Sequence, residues 1–220
     1  MSGVLLALDL SAESCTLALG ADPGLRVIGE RDFSEGRGRA IISELEALLE
    51  ASGVARESVR GVIVGIGPGS YTGLRIACTA ARTLAWALEI PCVGLPSFAA
   101  AAFSAPPDRE VHLLLNAFRG EVYHACYARS ANDVVERVAP RVLTREQALS
   151  AVPAGALLLG DASLSHNSVT VLRPGTAPRA SELLALAHAR GARSDGRGME
   201  GLGPARPLYL RPAAFPPRPA

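Results

Sequence analysis

The most informative absence in this 220-residue chain is lysine, because all 22 basic residues are arginines. A lysine that holds nucleotide phosphates, forms a Schiff base or acts as a general base is therefore excluded. Histidine is also scarce. The four positions, His112, His124, His166 and His188, show none of the spacings of a local zinc motif.

Cysteine pairs and long apolar runs are missing as well. The four cysteines are scattered without a Cys-x-x-Cys pair, which is typical of buried thiols in a reducing compartment. No apolar run reaches the roughly 20 residues of a membrane span, and the run at residues 4–8 is too short for a secretory signal. We therefore expect a cytoplasmic protein with no membrane contact.

Charge is nearly balanced over the whole chain. A net charge of +1 argues against a dedicated nucleic-acid binder, because such proteins gain affinity by neutralising many phosphates. The C-terminal part is different: eight arginines lie between Arg173 and Arg218, with only Glu182, Asp195 and Glu200 as acids. This stretch is either a contact for RNA or an acidic partner, or a solvated tail rich in proline and glycine.

What is present is a pattern of strands and helices that occurs twice. In the first half, "LLALDLSAESCTLAL" predicts a hairpin and residues 25–33 a third strand, before helices alternate with strands. In the second half, "VHLLLNAFRGEVYHACYAR" predicts another hairpin and residues 134–142 another third strand, and Asn116 stands where Asp9 stands in the first copy. We predict two similar α/β domains, residues 1–105 and 106–220, with a last helix that packs back on the first.

A glycine loop, "GIGPGSYTG", follows a buried strand and precedes a helix. It lacks the lysine of a P-loop and the spacing of a dinucleotide fingerprint. Its amides, its hydroxyls and the helix N-terminus could still attract an anion, or its glycines could simply allow close packing. The candidate nucleotide or anion site consists of Asp9, Ser11, Gly67, Gly69, Ser70 and Gly73.

Two polar turns have a similar double interpretation. Asp9, with nearby serines in the first hairpin turn, could hold Mg²⁺ through water, or could satisfy its own backbone. The turn from Gly160 to Ser163 follows another buried strand and offers the same choice. Ser70 lacks the G-x-S-x-G elbow of serine hydrolases, because Pro68 replaces the first glycine. No catalytic residue and no metal ligand is predicted.

The helix after the glycine loop has two stripes and few solvating residues. One stripe, around Leu74, Cys78 and Ala81, is expected to face the core. The other contains Arg75, Thr79, Arg82 and Trp86, the only tryptophan. Trp and Arg dominate interface energetics. The second stripe is therefore expected either to bind a partner protein or second copy, or to lie under the second domain.

Four stretches together resemble the bacterial TsaB (YeaZ) family: "LLALDLSAESCTLALG", "GVIVGIGPGSYTGLRIACTAARTLAWALEIPCVGLPSFAAAA", "AFRGEVYHACY" and "PLYLRP". The resemblance covers nearly the whole chain. It implies two ribonuclease-H-like domains of the βββαβα type, as in actin-like and sugar-kinase-like ATPases.

The resemblance also implies a role and partners. Family members assist the catalytic TsaD subunit, together with the ATPase TsaE, in transferring threonylcarbamoyl to N6 of the adenosine beside the anticodon in tRNA. They pair with TsaD, or with a second copy when alone, through the helix after the glycine loop and the preceding helix. That adds Ile41, Leu45 and Leu48 as interface candidates. ATP or ADP with Mg²⁺ is possible at the complex interface, and tRNA contact is expected only through the complex.

The sequence departs from the family at two places. It has "EGRGRA" where family members commonly have a histidine before the first helix, and Asn116 where they commonly have aspartate. It also lacks the His-x-x-x-His metal pair of the catalytic subunit. A non-catalytic subunit is therefore expected. The alternatives are an ATP-dependent kinase-like enzyme on the same fold, or a metallopeptidase-like protein.

Overall fold

The structure is a computed structural model that describes residues 3–34, 37–117, 119–160, 170–174 and 178–211. The predicted turn at Asp161–Ser163 and the proline-rich tail beyond Arg211 lie outside the described residues. None of the described helices is both long and apolar enough to cross a membrane.

The first sheet contains six strands among the residues that the structure describes. In chain order they are β1 (Val4–Asp9), β2 (Cys15–Ala21), β3 (Arg26–Phe33), β4 (Val59–Gly65), β5 (Cys92–Leu95) and β11 (Gly203–Pro204). Their spatial order is β11-β5-β4-β1-β2-β3. The predicted hairpin is confirmed, because β1 and β2 pair antiparallel around the polar turn, while β1 pairs parallel with β4.

The second sheet repeats this arrangement. Its strands are β6 (Arg109–Asn116), β7 (Glu121–Arg129), β8 (Val134–Thr144), β9 (Leu157–Gly160) and β10 (Thr170–Pro174), in the order β10-β9-β6-β7-β8. Strands β6 to β8 form an antiparallel meander, and β9 lies parallel to β6. The order matches β5-β4-β1-β2-β3 strand for strand, so the predicted duplicated ribonuclease-H-like fold is confirmed.

Within the described residues, five α-helices separate and cover the two sheets, and a short 3-10 helix (Arg56–Ser58) precedes β4. The α-helices are α1 (Arg37–Ala51), α2 (Tyr71–Leu88), α3 (Ser97–Phe103), α4 (Arg145–Ala151) and α5 (Ala180–Ala189). Helices α1 and α2 cover the outer face of the first sheet, and α4 covers the outer face of the second. Helices α3 and α5 lie between the sheets. The capping box predicted at Thr144 and Gln147 begins α4.

The predicted domain bounds remain a prediction, and the C-terminal residues pack in a way that these bounds do not describe. Helix α5 packs on β1 to β4 of the first sheet, and β11 extends that sheet beside β5. Residues 178–211 therefore return to the first unit, whereas 106–220 was expected to form the second. The physical reason is that α5 is apolar on most of its surface and needs two packing surfaces. The expectation that the last helix packs back on the first domain is confirmed.

Candidate functional site

The glycine loop packs directly on the turn between β1 and β2. A Cβ on Gly69 would stand 2.1 Å from the Ser11 carbonyl oxygen, and one on Gly73 would stand 2.1 Å from the Leu10 carbonyl oxygen. Only glycine allows this approach, because real Cβ atoms do not come that close to a backbone oxygen. The two carbonyl oxygens also place negative partial charge where an anion was expected.

The amides of the loop are largely used inside the protein. Ser70 N donates to Ser11 O at 2.7 Å, and Gly67 N donates to Ser97 Oγ at 3.0 Å. Gly73 N donates to the N-cap Ser70 Oγ at 3.2 Å. The structure therefore favours the alternative interpretation, in which the glycines permit close packing between strand turn and helix. The anion site remains a prediction without support from these three donors.

Asp9 is buried at the carboxyl end of β1, 1 % exposed. Ser11 N donates to its Oδ1 at 2.8 Å, whereas Asp9 Oδ2 and Ser11 Oγ have no hydrogen-bond partner among the described residues. Burial raises the pKa of the Asp9 carboxyl above its ordinary value and outweighs the opposing effect of the hydrogen bond from Ser11 N. In the part of the chain that the structure describes, no cluster of three His, Cys, Asp or Glu side chains could hold a metal ion.

The two units contact each other at the glycine loop and at Arg211. Tyr123 of β7 donates its hydroxyl hydrogen to Gly69 O at 3.2 Å. Arg211 donates to Ala117 O at 3.1 Å and forms an ion pair with Glu121. These contacts join the second unit to the glycine loop and to the C-terminal segment.

Helix α2 carries the candidate protein-binding surface. It begins at the Ser70 cap and is followed by Glu89 in the left-handed conformation. Its core stripe is buried as predicted. The second stripe, Arg75, Thr79, Arg82 and Trp86, is exposed. Trp86 is 82 % exposed, which is the largest exposure among the described large hydrophobic side chains. The expectation that the second domain covers this stripe is wrong.

The three interface candidates on α1 are buried within this chain, and their contact with a partner remains a prediction. Ile41, Leu45 and Leu48 are 4 %, 7 % and 2 % exposed, and they form the core between α1 and the first sheet. Their helical spacing predicts a buried stripe equally well, and the first sheet supplies the surface that buries it. Among the described side chains of α1, the exposed large hydrophobic one is Ile42, at 48 %. No sequence pattern distinguished it from its neighbour Ile41.

Two grooves run along α2. The first lies between α1 and α2, has a volume of about 450 Å³ and is mostly apolar, with Ile42, Ile76 and Leu84 among its lining residues. The second has a volume of about 730 Å³ and lies between α2 and the C-terminal segment (residues 203–211). Thr79 and Thr83 line both grooves and form the ridge between them.

The C-terminal segment was missed in the sequence. Ala205 is buried in the core beneath α2, and Leu208 N donates to Ile66 O at 2.8 Å. The Tyr209 ring lies 4.6 Å from the Tyr71 ring at the start of α2. A two-residue strand next to prolines has no periodicity to detect, so only "PLYLRP" marked this segment.

A buried histidine pair in the second unit was also missed. His112 Nδ1 lies 3.1 Å from His124 Nε2, and Arg141 Nε donates to His124 Nδ1 at 3.4 Å. Since His124 Nδ1 accepts, its proton resides on Nε2, which donates to His112. Burial lowers the pKa of His112, and burial with the neighbouring His112 and Arg141 charges lowers the pKa of His124 to about 4.

This pair makes stability depend on pH. The folded pKa of His124 is below the unfolded one, so its contribution is present at neutral pH and is lost as pH falls. Between pH 6.5 and 5 we expect a loss of about 2 kcal/mol in unfolding free energy. Urea unfolding of wild type, His124→Gln and the control His188→Gln measures it. The loss of unfolding free energy between pH 6.5 and 5 should be smaller only in His124→Gln. If the unfolding free energy changes equally with pH in all three proteins, the assignment is contradicted.

Comparison with known proteins supplies the family context. The family model of TsaD, tRNA N6-adenosine threonylcarbamoyltransferase, matches residues 34–174, which is more than half of the chain. The TsaB tRNA threonylcarbamoyladenosine biosynthesis protein of Escherichia coli is 31 % identical over 94 % of this chain and 94 % of its own length. The protein of the same name from Bacillus subtilis is 36 % identical over 97 residues, 44 % of this chain and 42 % of that relative.

A solved structure agrees with these sequences. YeaZ from Pseudomonas aeruginosa superposes with a TM-score of 0.74 at 28 % identity, covering 94 % of this chain and all of that one. The likeness extends over both sheets, since so much of the chain is matched.

Proposed function

Because the chain belongs to the TsaB (YeaZ) family of tRNA threonylcarbamoyladenosine biosynthesis proteins, we propose that it is the non-catalytic partner of a TsaD-type subunit. It binds and activates that subunit through the exposed surface of α1 and α2, which we call the free face. This surface contains Ile42 of α1 and the α2 stripe of Arg75, Thr79, Arg82 and Trp86. The observation that carries the proposal is Trp86, an 82 % exposed tryptophan beside two grooves. Leaving so large an apolar side chain in water is unfavourable unless a partner covers it.

The shape of the face supports a helical partner. An apolar groove between two helices accepts a ridge of side chains from a third helix, as in helix bundles. The small Thr79 and Thr83 side chains allow the partner backbone to approach closely between the grooves. Association with a TsaE-type ATPase, a homodimer of the isolated chain and a cytoplasmic location remain expectations of the same proposal.

A kinase-like enzyme is the second candidate, and the residues of this chain do not fit it. A kinase needs carboxylates and phosphate-binding amides facing an open cleft between the units. Here three loop amides have internal partners, Tyr123 bridges to Gly69, and Asn116 stands at the end of β6 where Asp9 ends β1. ATP or ADP with Mg²⁺ is therefore proposed only at an interface with a partner, and no step is derived through it.

Reconstitution tests the proposal. Light scattering of the chain, alone and mixed with the TsaD subunit of the same organism, should show a mixed complex. Threonylcarbamoylation of tRNA from threonylcarbamoyl-adenylate by that subunit should then rise when the chain is added. ATP hydrolysis or phosphoryl transfer by the chain alone, without any mixed complex, would contradict the proposal and favour the kinase-like alternative.

A further inference from the structure

The larger groove beside α2 is basic, and the function proposed above does not explain its charge. Arg82 and Trp86 line it from α2, Arg206 lines it from the C-terminal segment, and Cys92 and Ala205 contribute to its lining. We refer to it as the basic groove. Its two walls are far apart in sequence, so the charges of Arg82 and Arg206 are brought together only by the return of the chain to the first sheet.

The two arginines have no acidic partner in the described part of the chain. Elsewhere, Arg31, Arg179 and Arg190 pair with Glu44, Glu30 and Asp133 at 2.7–3.1 Å. No such ion pair is formed by Arg82 or Arg206 among the described residues, and α2 contains no Asp or Glu from Tyr71 to Leu88. The basic groove therefore carries two uncompensated positive charges.

The chemistry of these side chains favours carboxylates. An arginine guanidinium presents a planar set of donors that matches a carboxylate in a two-pronged hydrogen-bonded pair. Burial beside Trp86 would strengthen such a pair, because a large apolar side chain excludes water from it.

A second copy of this chain is a poorer occupant than an acidic partner. Pairing α2 with the α2 of another copy about a two-fold axis would bring both copies' arginines into one contact. Like charges at close range oppose association of two copies, whereas the carboxylates of an acidic partner attract the arginines.

We propose that acidic side chains of the TsaD-type subunit bind in the basic groove, where they form ion pairs with Arg82 and Arg206. This inference rests on the proposed function, and it adds which chemistry the partner presents at this part of the contact. The apolar groove between α1 and α2 then supplies buried area, and the basic groove supplies orientation and a faster encounter.

Affinity measured against salt concentration tests the inference. The dissociation constant for the TsaD subunit is measured at 50, 150 and 500 mM NaCl for wild type and for the double variant Arg82→Gln/Arg206→Gln. At 50 mM we expect the variant to bind about 10- to 100-fold more weakly, with a flatter dependence on salt. The double variant Arg56→Gln/Arg137→Gln removes the same charge at exposed sites outside both grooves, and should change affinity less than about 2-fold.

The outcomes separate the inference from the function it rests on. A complex whose affinity and salt dependence are unchanged in Arg82→Gln/Arg206→Gln overturns the inference alone. No complex with the wild type overturns the proposed function, and the inference with it. Self-association or tRNA binding of the isolated chain that is lost in the same variant, while affinity for the TsaD subunit is kept, assigns the basic groove to that occupant and overturns the inference.

Discussion

Replacing Trp86 by glutamate should weaken the complex with the TsaD-type subunit by about 100-fold or more and leave the protein folded. The side chain is 82 % exposed, so its removal takes little apolar area from the core. In the complex it is expected to lie at the centre of the contact, where glutamate would lose the apolar packing and would itself pair with the Arg82 and Arg206 charges that the partner's carboxylates are expected to bind. Titration followed by light scattering measures the affinity, and thermal unfolding checks the fold.

A matched substitution separates the site from a general effect of added charge. Val135 on β8 is also exposed, at 51 %, and lies in the second unit. Val135→Glu should bind the subunit like wild type. If Trp86→Glu binds as tightly as Val135→Glu, the free face of α2 is not the contact, and the proposed function loses its main support.

Gly73→Ala should destabilise the protein by at least about 2 kcal/mol, although alanine normally favours a helix over glycine. The added methyl group would stand 2.1 Å from the Leu10 carbonyl oxygen, a backbone atom that cannot move without shifting the turn after β1. In a protein of this size such a loss corresponds to a fall of about 4–8 °C in the melting temperature. Urea and thermal unfolding without any added ligand measure it.

The neighbouring position provides the control. Thr72 precedes Gly73 in the first turn of α2, but its side chain is exposed, so Thr72→Ala should change stability by less than about 0.5 kcal/mol. If Gly73→Ala is as stable as Thr72→Ala, close packing does not explain the glycine. The anion-binding interpretation of the loop would then have to be tested directly with nucleotide or phosphate.

The sequence was most informative where a pattern is local. Two apolar runs on either side of a polar turn predicted the first hairpin, because a short polar turn allows the two strands to pair antiparallel. The spacing of Thr144 and Gln147 predicted a cap, since both hydrogen bonds are made within four residues. The two stripes of α2 follow from the 3.6-residue period in the same way.

Burial was harder to assign, because it depends on distant partners. Ile41 and Ile42 are adjacent and chemically identical, yet one is 4 % and the other 48 % exposed. Only the position of the first sheet under α1 decides between them. The glycine loop allowed two interpretations for the same reason. The Ser11 carbonyl oxygen that packs against Gly69 belongs to another turn, so the residues of the loop do not reveal it.

By itself the sequence determined the repeated succession of strands and helices along the chain, the absence of lysine chemistry, the two stripes of α2 and the family. These follow from residue types and short-range periodicity, and both can be seen within a segment of the sequence without knowledge of its neighbours in space. Only the tertiary structure decided which stripe is free, that residues 178–211 return to the first sheet, and that Arg82 and Arg206 share a groove. The physical reason is that burial and charge pairing are properties of surfaces that meet in space, and these surfaces come from different segments; Arg82 and Arg206, for example, are more than 100 residues apart.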